Sequence, residues 1–158
     1  MTGPTPSQAK NMIRKSLLGI IDPEPSKEDI TRLWEFFESR CAYCGTKINR
    51  KRRQGHIDHL VPQTVNGINH ISNRVLSCGY CNGDEKRDTH WAEFIINKHS
   101  RNPSVAKQRI DKIKEWRNLH KEPKLDSELR NKAEDIANQV CVRYNLALRD
   151  LKKLRIDE

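Results

Sequence analysis

The sequence predicts an α+β fold that is mostly helical: a short strand hairpin stapled by one structural metal, with helical segments at both ends. Three observations predict it. Two Cys-x-x-Cys pairs, Cys41/Cys44 and Cys78/Cys81, bracket a stretch without helical periodicity. Apolar residues recur at helical spacing on both sides of that stretch. The composition is lean: with 158 residues, 35% apolar and 32% charged, a core is feasible but thin, and a bound metal would assist folding.

Charge and hydropathy narrow the partners. Lys plus Arg number 30 against 21 Asp plus Glu, a formal net charge of +9. Such a surplus favours a polyanion through counterion release, the plain alternative being solubility. No run approaches the ~20 apolar residues that span a bilayer. MTGPTPSQAK has no apolar segment of the kind a secretory signal carries. The expectation is a cytoplasmic protein with no membrane partner. In that reducing compartment thiols serve as ligands more often than as disulfides.

Residues 1–25 gather Pro4, Pro6, Pro23 and Pro25 around MIRKSLLGII. They read as a poorly ordered start with room for one short helix, then a linker. Ser26 is an N-cap, and Ile30, Leu33, Trp34 and Phe37 mark an amphipathic helix ending near Arg40. His56–Val61 and Arg74–Ser77 read as two strands, with Asn66-Gly67 as the turn signal between them. A helix is expected from about Asn82, with Trp91, Phe94 and Ile95 on its apolar side. Asn102-Pro103 breaks the chain, and Ala106, Ile110, Ile113 and Trp116 mark the next helix. Beyond Glu122-Pro123, Leu129, Ala133, Ile136, Ala137, Val140 and Tyr144 form a third stripe, and Leu148, Leu151 and Leu154 a fourth. Cys141 is read as core. The resulting division is 1–25, a zinc-stapled domain at 26–100, and a helical segment at 101–158. That last segment binds DNA, dimerises or completes the core.

The two cysteine pairs supply four thiolates, the number a tetrahedral structural zinc takes. Gly45 follows the first pair and Gly79 lies inside the second, as tight turns require. The spacing between pairs exceeds that of a zinc ribbon, so an insert lies between them, tied at its base by the ion.

That insert carries Asp58-His59-Leu60-Val61-Pro62, then Asn73 with Val75 and Leu76, then Cys78-Gly79-Tyr80-Cys81-Asn82 and Lys86. Five elements in this order resemble the HNH endonuclease family, whose site is the ββα-metal motif; the resemblance covers about 50 residues. It implies a metal-dependent DNA endonuclease. His59 would be the general base that activates water. Asp58 and Asn82 would hold a divalent ion such as Mg2+, and Asn73 would brace the loop carrying the base. Lys86 would touch a phosphate, against the alternative of a solvated helix residue. His56, two residues before Asp58, is a third candidate ligand or a phosphate contact, against plain exposure.

The chemistry fits these residue types independently. Phosphodiester cleavage needs a deprotonated water, a cation for the developing charge and a protonated leaving oxygen. An unperturbed imidazole titrates near neutral pH, and carboxylate and amide oxygens suit a hard divalent ion. Lys47, Arg50, Lys51, Arg52 and Arg53 put five cations in seven positions beside this site. They read as a phosphate-clamping loop. Two other readings compete: a non-catalytic zinc module that binds nucleic acid, and an RNase. A homodimer would allow a double-strand cut where a lone site nicks.

Overall fold

The structure is a computed structural model that describes residues 3–87, 89–123 and 126–156. The fold is α+β and mostly helical, with one antiparallel two-stranded sheet. It forms two compact units: Glu24–Pro123, and Met1–Pro23 together with Lys124–Glu158.

In the Glu24–Pro123 unit, helix α2 (Lys27–Phe36) starts at Ser26, whose hydroxyl accepts from the Asp29 amide at 3.0 Å while the Asp29 carboxylate reaches back. The reciprocal pair satisfies two of the amides that a helix start leaves over. Leu33 and Trp34 are buried on its inner face. The chain leaves α2 through Glu38 and Ser39, both in the left-handed region (φ 54° and 55°), which turns it sharply toward Cys41. Strand β1 (Gly55–His59) pairs with β2 (Arg74–Cys78), with Gly55 opposite Cys78, Ile57 opposite Leu76 and His59 opposite Arg74. β1 stops at His59, short of the expected Val61. Two 3-10 turns, Gln63–Val65 and Ile71–Asn73, fill the connection to β2.

After β2 the chain makes a π-helical turn (Tyr80–Glu85), and helix α3 (Trp91–Lys98) follows. The sequence reading has one helix from about Asn82. Gly83 weakens helix continuation there, and Lys86 is drawn inward at the end of the turn, 3% exposed. Helix α4 (Pro103–Leu119) is capped by Asn102 with Pro103 in its first turn. It belongs to this unit. The reason is Trp116: its ring lies 4.9 Å from Phe36 and 5.9 Å from Phe37, and its Nε1 donates to the Ile71 carbonyl at 3.1 Å.

In the other unit, helix α1 (Pro6–Leu18) occupies much of the stretch expected as a poorly ordered start, and it opens with a Thr5/Gln8 capping box. Helix α5 (Ser127–Ile156) is continuous over 30 residues, so the two expected stripes share one helix; it contains no Gly or Pro to break it. Arg14 of α1 hydrogen-bonds Glu134 and Asn138 of α5. Among the described residues of this unit only Ala137 is fully buried, and Cys141, expected in a core, is half-buried.

Candidate active site

The hairpin is placed by its neighbours before it is placed by any metal. A Cβ on Gly55 would stand 2.4 Å from the Trp34 ring, so only glycine lets β1 begin against α2. Val75 and Leu76 of β2 are wholly buried in the core under the hairpin, with Leu33, Tyr43, Ile95 and Ile113.

The four sulfurs of Cys41, Cys44, Cys78 and Cys81 lie within 4.8 Å of one another. Zn–S bonds of about 2.3 Å in a tetrahedron put sulfurs about 3.8 Å apart, and Cys44 Sγ to Cys78 Sγ is 3.8 Å. Hydrogen bonding from Cys41, then Cys81, drives the Cys44 thiol far below its ordinary range, while Cys41 and Cys44 push Cys81 far above its own. Four crowded thiols resist becoming four thiolates, and a divalent cation among them removes that conflict. The donor set therefore fits zinc. Gly45 sits at φ 79°, the left-handed region that favours glycine, with the Arg109 guanidinium packed against it.

Asp58 and His59 occupy the last two positions of β1, and their surroundings differ. Asp58 Oδ2 accepts from the Tyr43 hydroxyl at 2.6 Å and from Lys86 Nζ at 3.1 Å. Lys86 also donates to the His59 carbonyl at 3.1 Å and lies over the Tyr43 ring. Expected at a phosphate, Lys86 is instead buried as the partner of Asp58. Burial, and next the Asp58 charge, raise the Tyr43 phenol well above its ordinary pKa, so it stays a hydrogen-bond donor.

The His59 imidazole lies between Asn69 and Arg74: Nε2 is 3.1 Å from Asn69 Oδ1 and Nδ1 is 3.2 Å from Arg74 NH1. A guanidinium can only donate, so Nδ1 is the acceptor and Nε2 carries the proton. Burial, and after it the Arg74 charge, hold this imidazole's pKa below its ordinary 6.5. Arg74 is fixed in turn by Glu24 at 2.5 Å and by Asn69 Oδ1 at 2.6 Å. Asn69 Oδ1 also accepts from Gln63 Nε2 at 2.9 Å.

Asn73, 1% exposed, donates from Nδ2 to the carbonyls of Val61 and Ile68 and accepts from the Val61 amide, all at 2.9 Å. Its amide ties the chain just after His59 to the segment just before β2. Asn82 is half-buried on the π-helical turn, next to Cys81. His56 is exposed and by alternation shares a face with Asp58, and its Nε2 is 3.3 Å from where a Gly79 Cβ would stand.

The five cations at 47–53 are exposed. Lys47 donates to the Glu38 carbonyl at 3.2 Å, and Arg50 reaches Thr31 at 3.3 Å and lies over the Trp34 ring. Asn49 Oδ1 accepts from the Lys51 and Arg52 amides at 3.0 and 3.2 Å, which folds the loop. Tyr43, Asn69, Arg74 and Glu24 escape sequence reasoning. Tyr43 sits inside a cysteine pair read only as a turn, and Asn69 sits in a loop of no set length. Among the described residues no helix is long and apolar enough to cross a membrane.

A zinc-type knuckle pair, a two-stranded hairpin and a following helical turn define a class, and comparison agrees with it. Residues 41–88 match the sequence model of the HNH endonuclease family. A curated relative, "SPbeta prophage-derived putative HNH endonuclease YoqL" of Bacillus subtilis (strain 168), is 31% identical over 142 residues, 79% of this chain. The match spans 57% of that relative's length.

Proposed function

We propose that the chain is a metal-dependent DNA endonuclease whose hydrolytic site is the Asp58–His59 step of β1. The observation that carries this reading is the split environment of two neighbours on one strand. Asp58 is a carboxylate whose Oδ2 is held by Tyr43 and Lys86, and His59 is an imidazole kept neutral beside it. His59 would take a proton from water at Nδ1, the nitrogen that accepts from Arg74 here, so that contact must give way to the water. Asn73 keeps the base in place by bracing the loop that follows it. Asp58 and Asn82 would hold the catalytic ion, with His56 as a further candidate ligand or phosphate contact. A magnesium-like cation supplies charge stabilisation at the phosphoryl oxygens. Carboxylate and amide oxygens are the ligand types such an ion takes, and two of them would leave positions for water and phosphate. Among the described residues the cysteines alone form a set of three or more His, Cys, Asp or Glu ligands within 4.8 Å.

Lys47, Arg50, Lys51, Arg52 and Arg53 form the phosphate-binding loop, and the net charge of +9 supports a polyanionic substrate. Lys86 serves this reading as the counterion of Asp58. Structural Zn2+ at the four cysteines anchors both ends of the insert, in a cytoplasmic protein.

Plasmid nicking in Mg2+ or Mn2+ tests the proposal. Wild type should convert supercoiled DNA, EDTA should stop it, and His59→Ala should lower the rate about a thousandfold with little change in the melt. DNA that is bound but uncut in either metal would return the chain to the non-catalytic zinc-module reading.

A further inference from the structure

The unit made of α1 and α5 is short of a core. Its one fully buried side chain among the described residues is Ala137. Two helices that bury so little do not account for a helix of 30 residues, because tertiary packing of an apolar face supplies most helical stability. α5 has such a face beyond the part that meets α1. Leu129 (46% exposed), Ile136 (57%), Val140 (39%), Leu151 (63%) and Leu154 (70%) follow one another at helical spacing along one side. A stripe of this length on one helix marks an interface.

Two charges beside the stripe point to what covers it, each of them also paired within its own helix, Lys132 with Glu128 and Asp150 with Arg149. Lys132 lies one turn before Ile136, and Asp150 lies one turn before Leu154, so both flank the same edge of the stripe. They stand almost equally far from the midpoint of Ser127–Ile156. Both side chains are well exposed, 68% and 62%. Turn a second α5 end for end about that midpoint. Leu129 then faces Leu154, Ile136 faces Ala147, and Lys132 of each helix comes level with Leu151 of the other, one residue from Asp150 and within its reach. A parallel pair would not bring Lys132 to Asp150. The helix is thus self-complementary in one orientation, the property that a two-fold interface requires.

We propose that α5 pairs antiparallel with α5 of a second copy of this chain, and that α1 and α5 of both copies form a four-helix bundle. The proposal stands apart from the nuclease chemistry, since none of its residues belongs to that site.

Sedimentation equilibrium of the full zinc-loaded chain reads it directly, with far-UV circular dichroism as the control for folding. Wild type should be a dimer at micromolar concentration. Ile136→Asp with Val140→Asp should weaken association at least tenfold. Because that variant could also lose helix, a charge cycle carries the decision. Lys132→Glu alone and Asp150→Lys alone should each weaken the dimer, by about tenfold for two like-charge contacts. The double variant, K132E with D150K, should recover most of the loss. A wild type that stays monomeric at 100 micromolar (roughly the top of the range worth testing) overturns the proposal. So does a cycle in which the double variant is no better than the singles, since that excludes the antiparallel register.

Discussion

His59 shows how one residue's pH behaviour follows from its neighbours. Burial and the Arg74 guanidinium both disfavour the imidazolium, so its pKa in the fold lies below 6.5. The unfolded chain therefore binds this proton more readily than the folded one. The contribution of His59 to stability is flat above 6.5 and turns unfavourable as pH falls through the window beneath it. The same ordering keeps the base active in mild acid: the acid limb of the cleavage rate should have its midpoint below pH 6.5. Arg74→Leu removes the cation, so that midpoint should move upward, which a pH–rate profile on plasmid DNA reads out. Lys86 has a different vulnerability. Its ammonium is 3% exposed and pairs with a carboxylate that is itself only 16% exposed. Lys86→Met leaves Asp58 charged with Tyr43 as its remaining donor there, and should cost about 3 kcal/mol in a urea melt.

Among the elements, the hairpin connection is the one that Asn73 ties together from within. Asn73→Ala deletes three hydrogen bonds at 2.9 Å and leaves the Val61 and Ile68 groups unmatched. About 3 kcal/mol of stability should go with it, and activity should fall further than stability because the loop follows the base; comparing melts with nicking rates separates the two. This scale also shows what the sequence could reveal. The knuckles and the two strands were legible because ligand spacing and strand alternation are local properties, whereas Asp58, His59, Asn73 and Asn82 were drawn together by the resemblance to the HNH family. The inward turn of Lys86 was not, because one helical turn past Asn82 looks the same whether the chain continues as α-helix or breaks after a π turn. Nor was the Arg74–Glu24 contact, which joins residues 50 positions apart. Apolar spacing announced that α4 buries a face, but spacing does not name what that face meets, and Trp116 on Ile71 decided it.

At the scale of the whole molecule, the core of the Glu24–Pro123 unit reaches from α2 to α4, and among the described residues its two strands have no third to support them. A lone hairpin is marginal in water. Cys44→Ser or Cys78→Ser removes one of four thiolates, so each should lose bound zinc and unfold cooperatively at lower temperature, with EDTA shifting wild type the same way. Metal content by mass spectrometry beside a thermal melt checks this, and a Cys78→Ser protein that melts like wild type would remove the ion from its structural role.

Cys78 is at once the final rung of the strand ladder, opposite Gly55, and one of the four sulfurs. An ion held by those sulfurs would therefore brace the open end of the hairpin, and a chain stripped of it should be cut by an added protease sooner than a loaded one.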